Sequence, residues 1–233
     1  MNKDVKISIA IPTYERREML LESFAQVLED DRVETIRIID DCSSRETFEF
    51  ICDSTAHMSK VLIMQQSGNV GMGHNKKDTL RICPTDYAIL LDSDNIIDSS
   101  YIDAIYMMNI WDPKTIFAPV FAKPNFDFRD VSNRVINRKT LKRFKRYKQL
   151  NCLLNTCNYF VNVKEYCRVW QPGDKGAADS IRFMYNWFKA GNSLYVNPAM
   201  EYFHRVHDGS GFKQNMDDNM KMAAYWEKEI WKL

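Results

Sequence analysis

The chain has 233 residues, of which 45% are hydrophobic and 12% aromatic. A chain of this length can bury about 70–75% of the surface that it exposes when unfolded, which excludes a disordered tail and a disulfide-dependent miniprotein. The 32 basic residues nearly balance the 31 acidic ones, so the net charge of +1 does not indicate a general nucleic-acid-binding protein.

The N-terminal sequence shows no pattern of a secretion signal, because residues 1–4 run directly into an apolar strand pattern. No apolar run approaches the ~18 residues that a membrane-spanning helix needs. The six cysteines include no Cys-x-x-Cys pair and are more typical of reduced thiols than of a disulfide framework. We therefore expect a cytoplasmic protein, with peripheral contact to a membrane as an alternative.

The first half of the chain alternates predicted strands and helices. Strands are expected at residues 5–11, 35–39, 61–64 and 87–91. Pro12 is expected to end the first strand because it has no amide N–H. Helices are expected at residues 16–29, at about 45–56, and from Gly73 towards Pro84. Strands that are apolar on both faces and separated by helices predict an open, mostly parallel α/β sheet with helices on both faces.

The second half of the chain is less regular. Strands are expected near residues 116–118, 158–163 and 194–196. Helices are expected at about 179–190, where Gly191 ends the helix, and from about 215 to the C-terminus. We find no repeat or interdomain linker and expect a single domain over residues 1–233.

Polar side chains follow each of the four strands predicted in the first half. The polar segments are residues 12–16, 40–43, 67–71 and 92–95. In an open α/β sheet, ligands bind beyond the carboxyl ends of the strands. The four segments together therefore predict one site.

Asp92-Ser93-Asp94 is the sharpest feature of this predicted site. Two carboxylates one residue apart, on a turn that leaves a buried strand, can reach one divalent cation, and oxygen ligands suit Mg²⁺ and Mn²⁺. The alternative is a turn rich in Asp, Ser and Asn that serves only to end the strand. The three neighbouring polar segments favour the metal site.

Gly68, Gly71 and Gly73 lie in the order G-x-x-G-x-G. This is the reverse of the dinucleotide-binding fingerprint and follows the third strand instead of the first, so a nicotinamide site is not indicated. Either the glycines form a flexible turn, or the helix N-terminus near Gly73 presents its amide groups to an anionic ligand.

Four motifs in order carry a family resemblance. They are IAIPTYER at residues 9–16, IIDDCS at 38–43, NVGMGHN at 69–75 and LLDSD at 90–94. The chain resembles the inverting GT-A fold glycosyltransferases, whose motifs read IIPTYNR, VVDDGS, NxGxxxARN and FLDSD. The resemblance covers nearly the whole chain. It implies a Rossmann-like GT-A fold, with residues 1–98 binding a nucleotide sugar and residues 99–233 binding the acceptor.

The resemblance also implies which residues bind the donor. Thr13, Tyr14 and Glu15 would line the pocket for the base and ribose, and Asp41 would accept a hydrogen bond from the nucleobase, most often uracil. The expected donor-binding set is Pro12, Thr13, Tyr14, Glu15, Asp41, Gly71, Asn75, Lys76, Asp92 and Ser93. His74 stands where the family usually has Arg, and nearby Lys76 is expected to supply the missing cation to the diphosphate.

The resemblance implies a metal, Mn²⁺ or Mg²⁺, held by Asp94, Asp92 and His207. The segment from His204 to Ser210 is similar to the family's YRxHxxS, which places the metal-binding histidine at His207. An imidazole added to carboxylates suits Mn²⁺ better than Mg²⁺.

The catalytic base is expected in the second half. The family usually has Gly-Glu-Asp at the start of a helix, and residues 176–179 match except that Ala178 replaces the Glu. Asp179 is the matching base, which would take the proton from the acceptor hydroxyl. Asp179 can also act only as a helix cap, and Asp174 is the nearby alternative base.

Residues 131–150 contain eight basic residues and no acidic one. The rest of the chain contains 24 basic and 31 acidic residues. The basic block 134–148 is either a solvated helix or loop, or a contact to anionic membrane lipid or a lipid-diphosphate acceptor. We expect no nucleic-acid partner.

The sequence therefore predicts an inverting, metal-dependent transferase that moves a sugar, most often UDP-linked, to a saccharide or lipid-linked glycan. The alternative is a nucleotide-sugar or glycan-binding module without catalysis, for which the departures at His74 and Ala178 argue. A sugar-nucleotide pyrophosphorylase would need a glycine-rich basic loop after the first strand, and residues 12–15 do not form one.

Overall fold

The computed structural model describes residues 4–155, 158–173, 178–210, 213 and 216–233. The strands are β1 (Ile7–Thr13), β2 (Val33–Asp40), β3 (Val61–Gln65), β4 (Tyr87–Leu90), β5 (Thr115–Lys123), β6 (Phe126–Asp127), β7 (Val135–Ile136), β8 (Tyr159–Asn162) and β9 (Ser193–Phe203). The helices are α1 (Glu18–Phe24), α2 (Arg45–Thr55), α3 (Met72–Arg81), α4 (Ser99–Tyr106), α5 (Leu150–Asn155), α6 (Val163–Val169), α7 (Asp179–Lys189) and α8 (Met216–Ile230).

The described strands form one mixed sheet in the order β3-β2-β1-β4-β8-β5-β9-β7, with β6 beside β5. The first four strands of this order are mutually parallel. Strand β8 is antiparallel to both of its neighbours, and β5 and β9 are parallel to each other. The predicted α/β class with a mostly parallel central sheet is confirmed.

Both faces of the sheet are covered. Ile9 and Ile11 of β1 pack into one buried cluster with α1 and α4, whereas Ala10 packs into a second cluster with α3, α6 and α7. Successive strand residues point to opposite faces, which is why a strand that is apolar on both faces, such as β4, predicted a sheet buried on both sides. Helix α7 contributes one apolar face to the second cluster, through Ile181, Met184, Trp187 and Phe188.

Strand β1 continues through Pro12 to Thr13, so the prediction that Pro12 ends the strand is wrong. The carbonyl of Ala10 accepts a hydrogen bond from Leu91 N, on the β4 side, and that of Thr13 accepts one from Asp41 N, on the β2 side. The backbone groups of successive strand residues point alternately to the two neighbouring strands, so the backbone of Pro12 faces the β4 side. Strand β4 has already ended there, at Leu90. The missing N–H of Pro12 therefore removes no hydrogen bond from the ladder.

The second half contains more regular structure than the pattern predicts. Strand β9 extends to Phe203, because an irregularity in its pairing with β5 accommodates the Asn197-Pro198 step. Helix α4 is capped by Asp98, whose carboxylate accepts from Ser100 N at 2.9 Å. Sequence patterning missed it, although an N-cap aspartate is a recognised start signal.

The basic block 134–148 contains no α-helix and consists mostly of turns. It includes β7 and a 3-10 turn at Leu141–Phe144, and Leu141 is a buried anchor. All eight bases of the block are exposed. No helix in the described ranges is long and apolar enough to cross a membrane.

Candidate functional site

The carboxyl ends of the parallel strands meet at one edge of the sheet, as the sequence predicts. The segment after β2 reaches the end of β1 through the hydrogen bond from Asp41 N to Thr13 O at 2.8 Å. The segment after β3 reaches the end of β2 through Gln66 N and Asp40 O, also at 2.8 Å. Parallel strand ends gather here because the crossover helices return each strand in the same direction.

Asp41 holds the loop that leads into α3. Its Oδ1 accepts from Val70 N at 2.7 Å and its Oδ2 from Gly71 N at 2.9 Å. Gly71 has a φ of +87°, a conformation that residues with a side chain rarely adopt. The carboxylate of Asp41 thus shapes the glycine-rich turn, and its expected contact to a nucleobase stays a prediction.

Asn75 ties the ends of β1 and β2 together. Its buried amide donates to Ile39 O at 2.8 Å and to Thr13 O at 3.5 Å. The hydroxyl of Thr13 is buried and has no hydrogen-bond partner in the part of the chain that the structure describes. A buried hydroxyl without a partner is costly, so Thr13 marks a position where an acceptor or donor is missing.

Glu15 lies at the N-terminus of α2. Its carboxylate accepts from Ser44 N at 2.6 Å and from Thr47 Oγ1 at 2.8 Å. The hydrogen bond from the Ser44 amide is the largest cause that lowers the pKa of Glu15 below its ordinary value. The backbone of Glu15 has a φ of +48°, which turns the chain sharply after β1. Beside it the Tyr14 ring is half exposed and accessible to a ligand.

Asp94 and His207 form the centre of the predicted metal site. Asp94 Oδ2 lies 2.9 Å from His207 Nε2. Arg16 also approaches this carboxylate, with its NH2 nitrogen 4.0 Å from Asp94 Oδ2, and the same nitrogen donates to Gly209 O at 2.7 Å. Arg16 was not among the predicted site residues, although it belongs to the first of the four motifs.

Asp92 is hydrogen-bonded to Asn158. The Asn158 amide donates to Asp92 Oδ2 at 3.2 Å, and Asp92 N donates to Asn158 Oδ1 at 2.9 Å. Ser93, between the two aspartates, is buried. Within the described ranges no three or more His, Cys, Asp or Glu side chains form a group suited to a metal. Asp94 and His207 offer a cation one carboxylate and one imidazole, so a bound cation would need further ligands such as a diphosphate or water. The metal site, including the role of Asp92, stays a prediction.

An open groove runs beside the Asp94–His207 pair. It is lined by residues of the first motif, of the α2 N-terminus and of the 207–209 segment, among them Glu15, Arg16, Ser44, His207 and Gly209. The groove thus joins the predicted pocket for the base and ribose to the predicted metal ligands.

Asp179, the predicted base, occupies the first turn of α7 and is almost completely buried, with 8% of its side chain exposed. Its Oδ2 accepts from Lys76 Nζ at 2.9 Å, and the same nitrogen lies 3.0 Å from Ser180 Oγ. The predicted contact of Lys76 to a diphosphate therefore competes with an ion pair to Asp179. The alternative base Asp174, and residues 176 and 177 of the predicted Gly-Glu-Asp match, lie outside the described residues.

A cleft opens next to Asp179, between α3, α6 and α7. Its walls include Gly73, His74, Trp170, Asp179, Arg182 and Asn186. Trp170 Nε1 donates to Gly73 O at 3.1 Å, and the His74 ring packs edge-on against the indole at 4.6 Å between centroids. His74 therefore has a packing role at this position.

The family model for glycosyl transferase family 2 matches residues 8–169. The chain belongs to this family. The match includes all four motifs on which the resemblance rests, and the family expected from them is confirmed.

Solved structures with a similar fold support the assignment of the fold. TarS of S. aureus, residues 1–349, is similar with a TM-score of 0.65 and 14% identity over 95% of this chain and 65% of that one. The same protein in complex with UDP-GlcNAc gives a TM-score of 0.68 and 14% identity over 95% of this chain and 66% of that one. The chain thus spans just under two thirds of these neighbours, and the GT-A fold is confirmed. Comparison with curated protein sequences gave no significant match.

Proposed function

We propose that the protein is an inverting, metal-dependent glycosyltransferase that transfers a sugar from a UDP-linked donor to a saccharide or lipid-linked glycan. The observation that carries the proposal is the contact between Asp94 and His207 at 2.9 Å, at the carboxyl edge of the parallel strands. Family membership over residues 8–169 and the similarity to a TarS complex with UDP-GlcNAc support a nucleotide-sugar donor.

In this proposal, Asp94 and His207 hold Mn²⁺ or Mg²⁺. Such a cation, when bound, neutralises the charge that builds on a departing diphosphate. Tyr14 and the groove beside Glu15 receive the nucleoside, and Asp41 keeps the 69–71 turn in place. The half-exposed ring of Tyr14 offers a surface on which a flat base can stack.

Asp179 is the proposed general base. It takes the proton from the acceptor hydroxyl as that oxygen attacks the anomeric carbon, and the bond to the diphosphate breaks in the same displacement. A single displacement inverts the anomeric centre. Proton removal by a positioned carboxylate typically contributes about 10²–10⁴ in rate. The cleft next to Asp179 is the proposed entry for the acceptor.

We also propose that the basic block 134–148 contacts an anionic membrane surface. Its eight exposed bases form no ion pair with an acid in the described ranges. This arrangement supports a peripheral position close to a lipid-linked acceptor.

The proposal is tested by a thermal-shift screen of nucleoside diphosphates and their sugars, with and without Mn²⁺, followed by an assay of UDP release. A ligand at 100 times its Kd stabilises the folded state by about 2.7 kcal/mol, which such a screen detects. We expect Mn²⁺-assisted stabilisation by UDP and by at least one UDP-sugar, with slow hydrolysis of that donor. Absence of any manganese-assisted nucleotide binding would overturn the proposal.

A non-catalytic module that binds nucleotide sugars is the second candidate. The buried ion pair between Asp179 and Lys76 favours it, because the carboxylate is already occupied by a cation. Donor binding without turnover, even with saccharide acceptors present, would support this candidate over the enzyme.

A further inference from the structure

We propose that Lys76 is a positioning residue for Asp179, an inference that rests on the proposed role of Asp179 as the base. The sequence alone predicted that Lys76 binds the donor diphosphate. The geometry points instead to a fixed partnership between the fifth residue of α3 and the first residue of α7.

The contact is short, buried and linked to a second side chain. Lys76 Nζ lies 2.9 Å from Asp179 Oδ2 and 3.0 Å from Ser180 Oγ. Only 6% of the lysine side chain and 8% of the aspartate side chain are exposed. Burying a carboxylate without a partner is costly, and Lys76 supplies the compensating cation.

The lysine also fixes the orientation of the carboxylate. The hydrogen bonds that described residues make to this side chain fall on Oδ2. This arrangement leaves Oδ1 as the oxygen that can accept the acceptor's proton. Helix α7 holds the aspartate backbone, and the ammonium group restricts the remaining rotation of the carboxylate.

Gly73 makes room for this arrangement on α3. A Cβ built on Gly73 would lie 3.3 Å from Asp179 Cβ, which is closer than ordinary packing allows. The first turn of α3 can therefore lie directly against the base. Because Asp179 also lines the cleft beside Trp170 and Asn186, its carboxylate is fixed at the wall of the proposed acceptor entry.

Diphosphate binding and positioning of the base, the two roles considered for Lys76, predict different effects on Kd and kcat. A lysine that binds the diphosphate contributes to donor affinity, so its loss raises the Kd for UDP. A lysine that positions the base contributes to the proton-transfer step, so its loss lowers kcat and leaves UDP binding unchanged. These effects are measured separately, by calorimetry with UDP and Mn²⁺ and by release of UDP from UDP-GlcNAc, UDP-glucose and UDP-galactose.

The experiment compares Lys76→Met and Lys76→Arg with wild type. We expect Lys76→Met to lower kcat by about tenfold to a hundredfold, a part of the 10²–10⁴ that a well-placed base supplies. The Kd for UDP should stay within about twofold, and Lys76→Arg should restore part of kcat because it keeps the cation. The matched control is Lys164→Met, which removes a lysine from an exposed pair with Asp86 and should change neither quantity.

Lys76→Met leaves a buried carboxylate without its cation, so its fold is checked by thermal melting. If Lys76→Met does not fold, the test uses Lys76→Arg and Ser180→Ala. Each of these variants keeps a cation near Asp179 but alters the position of that cation. A kcat equal to wild type in every folded variant at Lys76 and Ser180, or a loss of UDP affinity that accounts for the whole effect, would overturn the positioning role.

The variant Asp179→Asn separates this inference from the proposed function. If Asp179→Asn is inactive but Lys76→Met turns over like wild type, only the positioning role fails. If Asp179→Asn turns over like wild type, or wild type releases no UDP from any of the three donors, both fail.

Discussion

Asp94 and His207 lie 113 positions apart in the chain, yet their side chains approach to 2.9 Å. The aspartate follows β4 in the middle of the sheet, and the histidine follows β9, which is three strands away in the sheet order. An isolated bridge between Ile96 and Phe203 brings the two segments together. This bridge explains how residues from separate halves of the sequence form one predicted metal site.

We expect Asp94→Ala and His207→Gln each to weaken manganese-assisted UDP binding. Loss of even an outer partner of a metal ligand typically costs about 10–100-fold in metal affinity, so loss of a ligand should cost at least as much. The measurement is calorimetric titration of UDP with and without Mn²⁺. His57→Gln is the matched control, because His57 is exposed and lies just after the end of α2. Equal manganese dependence in all three variants would remove Asp94 and His207 from the metal site.

Asp41→Asn is expected to destabilise the fold as well as the site. An asparagine can accept only one of the two hydrogen bonds that Val70 and Gly71 donate, and its amide group then faces the other donor. Leaving one buried donor unsatisfied should lower the free energy of unfolding by about 1–3 kcal/mol, measured by urea denaturation. Asp53→Asn, at an exposed position on α2, should change it by less than about 0.5 kcal/mol. A similar small effect at Asp41 would show that the turn does not depend on this carboxylate.

We expect His204 to lower the free energy of unfolding at mildly acid pH. Burial is the largest cause that lowers the pKa of His204 below its ordinary value of 6.5. Its Nδ1 lies 2.9 Å from Asn125 Nδ2, an arrangement in which the neutral ring accepts the hydrogen bond. The unfolded state therefore binds more protons than the folded state near and below pH 6.5, so His204 lowers stability as the pH falls through this range.

The test for His204 is the free energy of unfolding at pH 8, 6.5 and 5 in wild type and His204→Asn. We expect the decrease between pH 8 and pH 5 to be smaller in the variant, because the titrating group is gone. An identical decrease in both proteins would show that other groups cause the acid sensitivity.

The first half of the fold followed closely from the sequence because its signals are local. The apolar runs of β1, β2 and β4 and the crossover pattern between them specify a parallel sheet without knowledge of distant contacts. Pro12 is the exception, since its tolerance within β1 depends on where the neighbouring β4 ends. The second half was less predictable, because β9 continues past Pro198 only through an irregular pairing with β5.

The candidate site shows the same division. The resemblance assigned Asp94 and His207 to one site, and their side chains do lie close together. Their binding of a metal stays a prediction. The pattern did not reveal that Lys76 pairs with Asp179 or that Asn158 holds Asp92. The partners lie 103 and 66 positions apart, and Lys76 and Asn158 belong to none of the quoted motifs. Such pairs depend on tertiary packing, which a single sequence does not specify.

The basic block 134–148 is expected to bind anionic vesicles through its exposed charges. Each base near an anionic membrane contributes about 1 kcal/mol, so Lys142→Gln with Arg143→Gln should weaken binding to phosphatidylglycerol vesicles by about 2 kcal/mol, or roughly 30-fold. The measurement is co-sedimentation with vesicles, and binding should fall as added salt screens the charges. Arg45→Gln with Lys164→Gln is the control, since it removes two exposed positive charges elsewhere. Equal losses in the two double variants would indicate a general effect of net charge, and equal binding to neutral phosphatidylcholine vesicles would exclude an electrostatic contact.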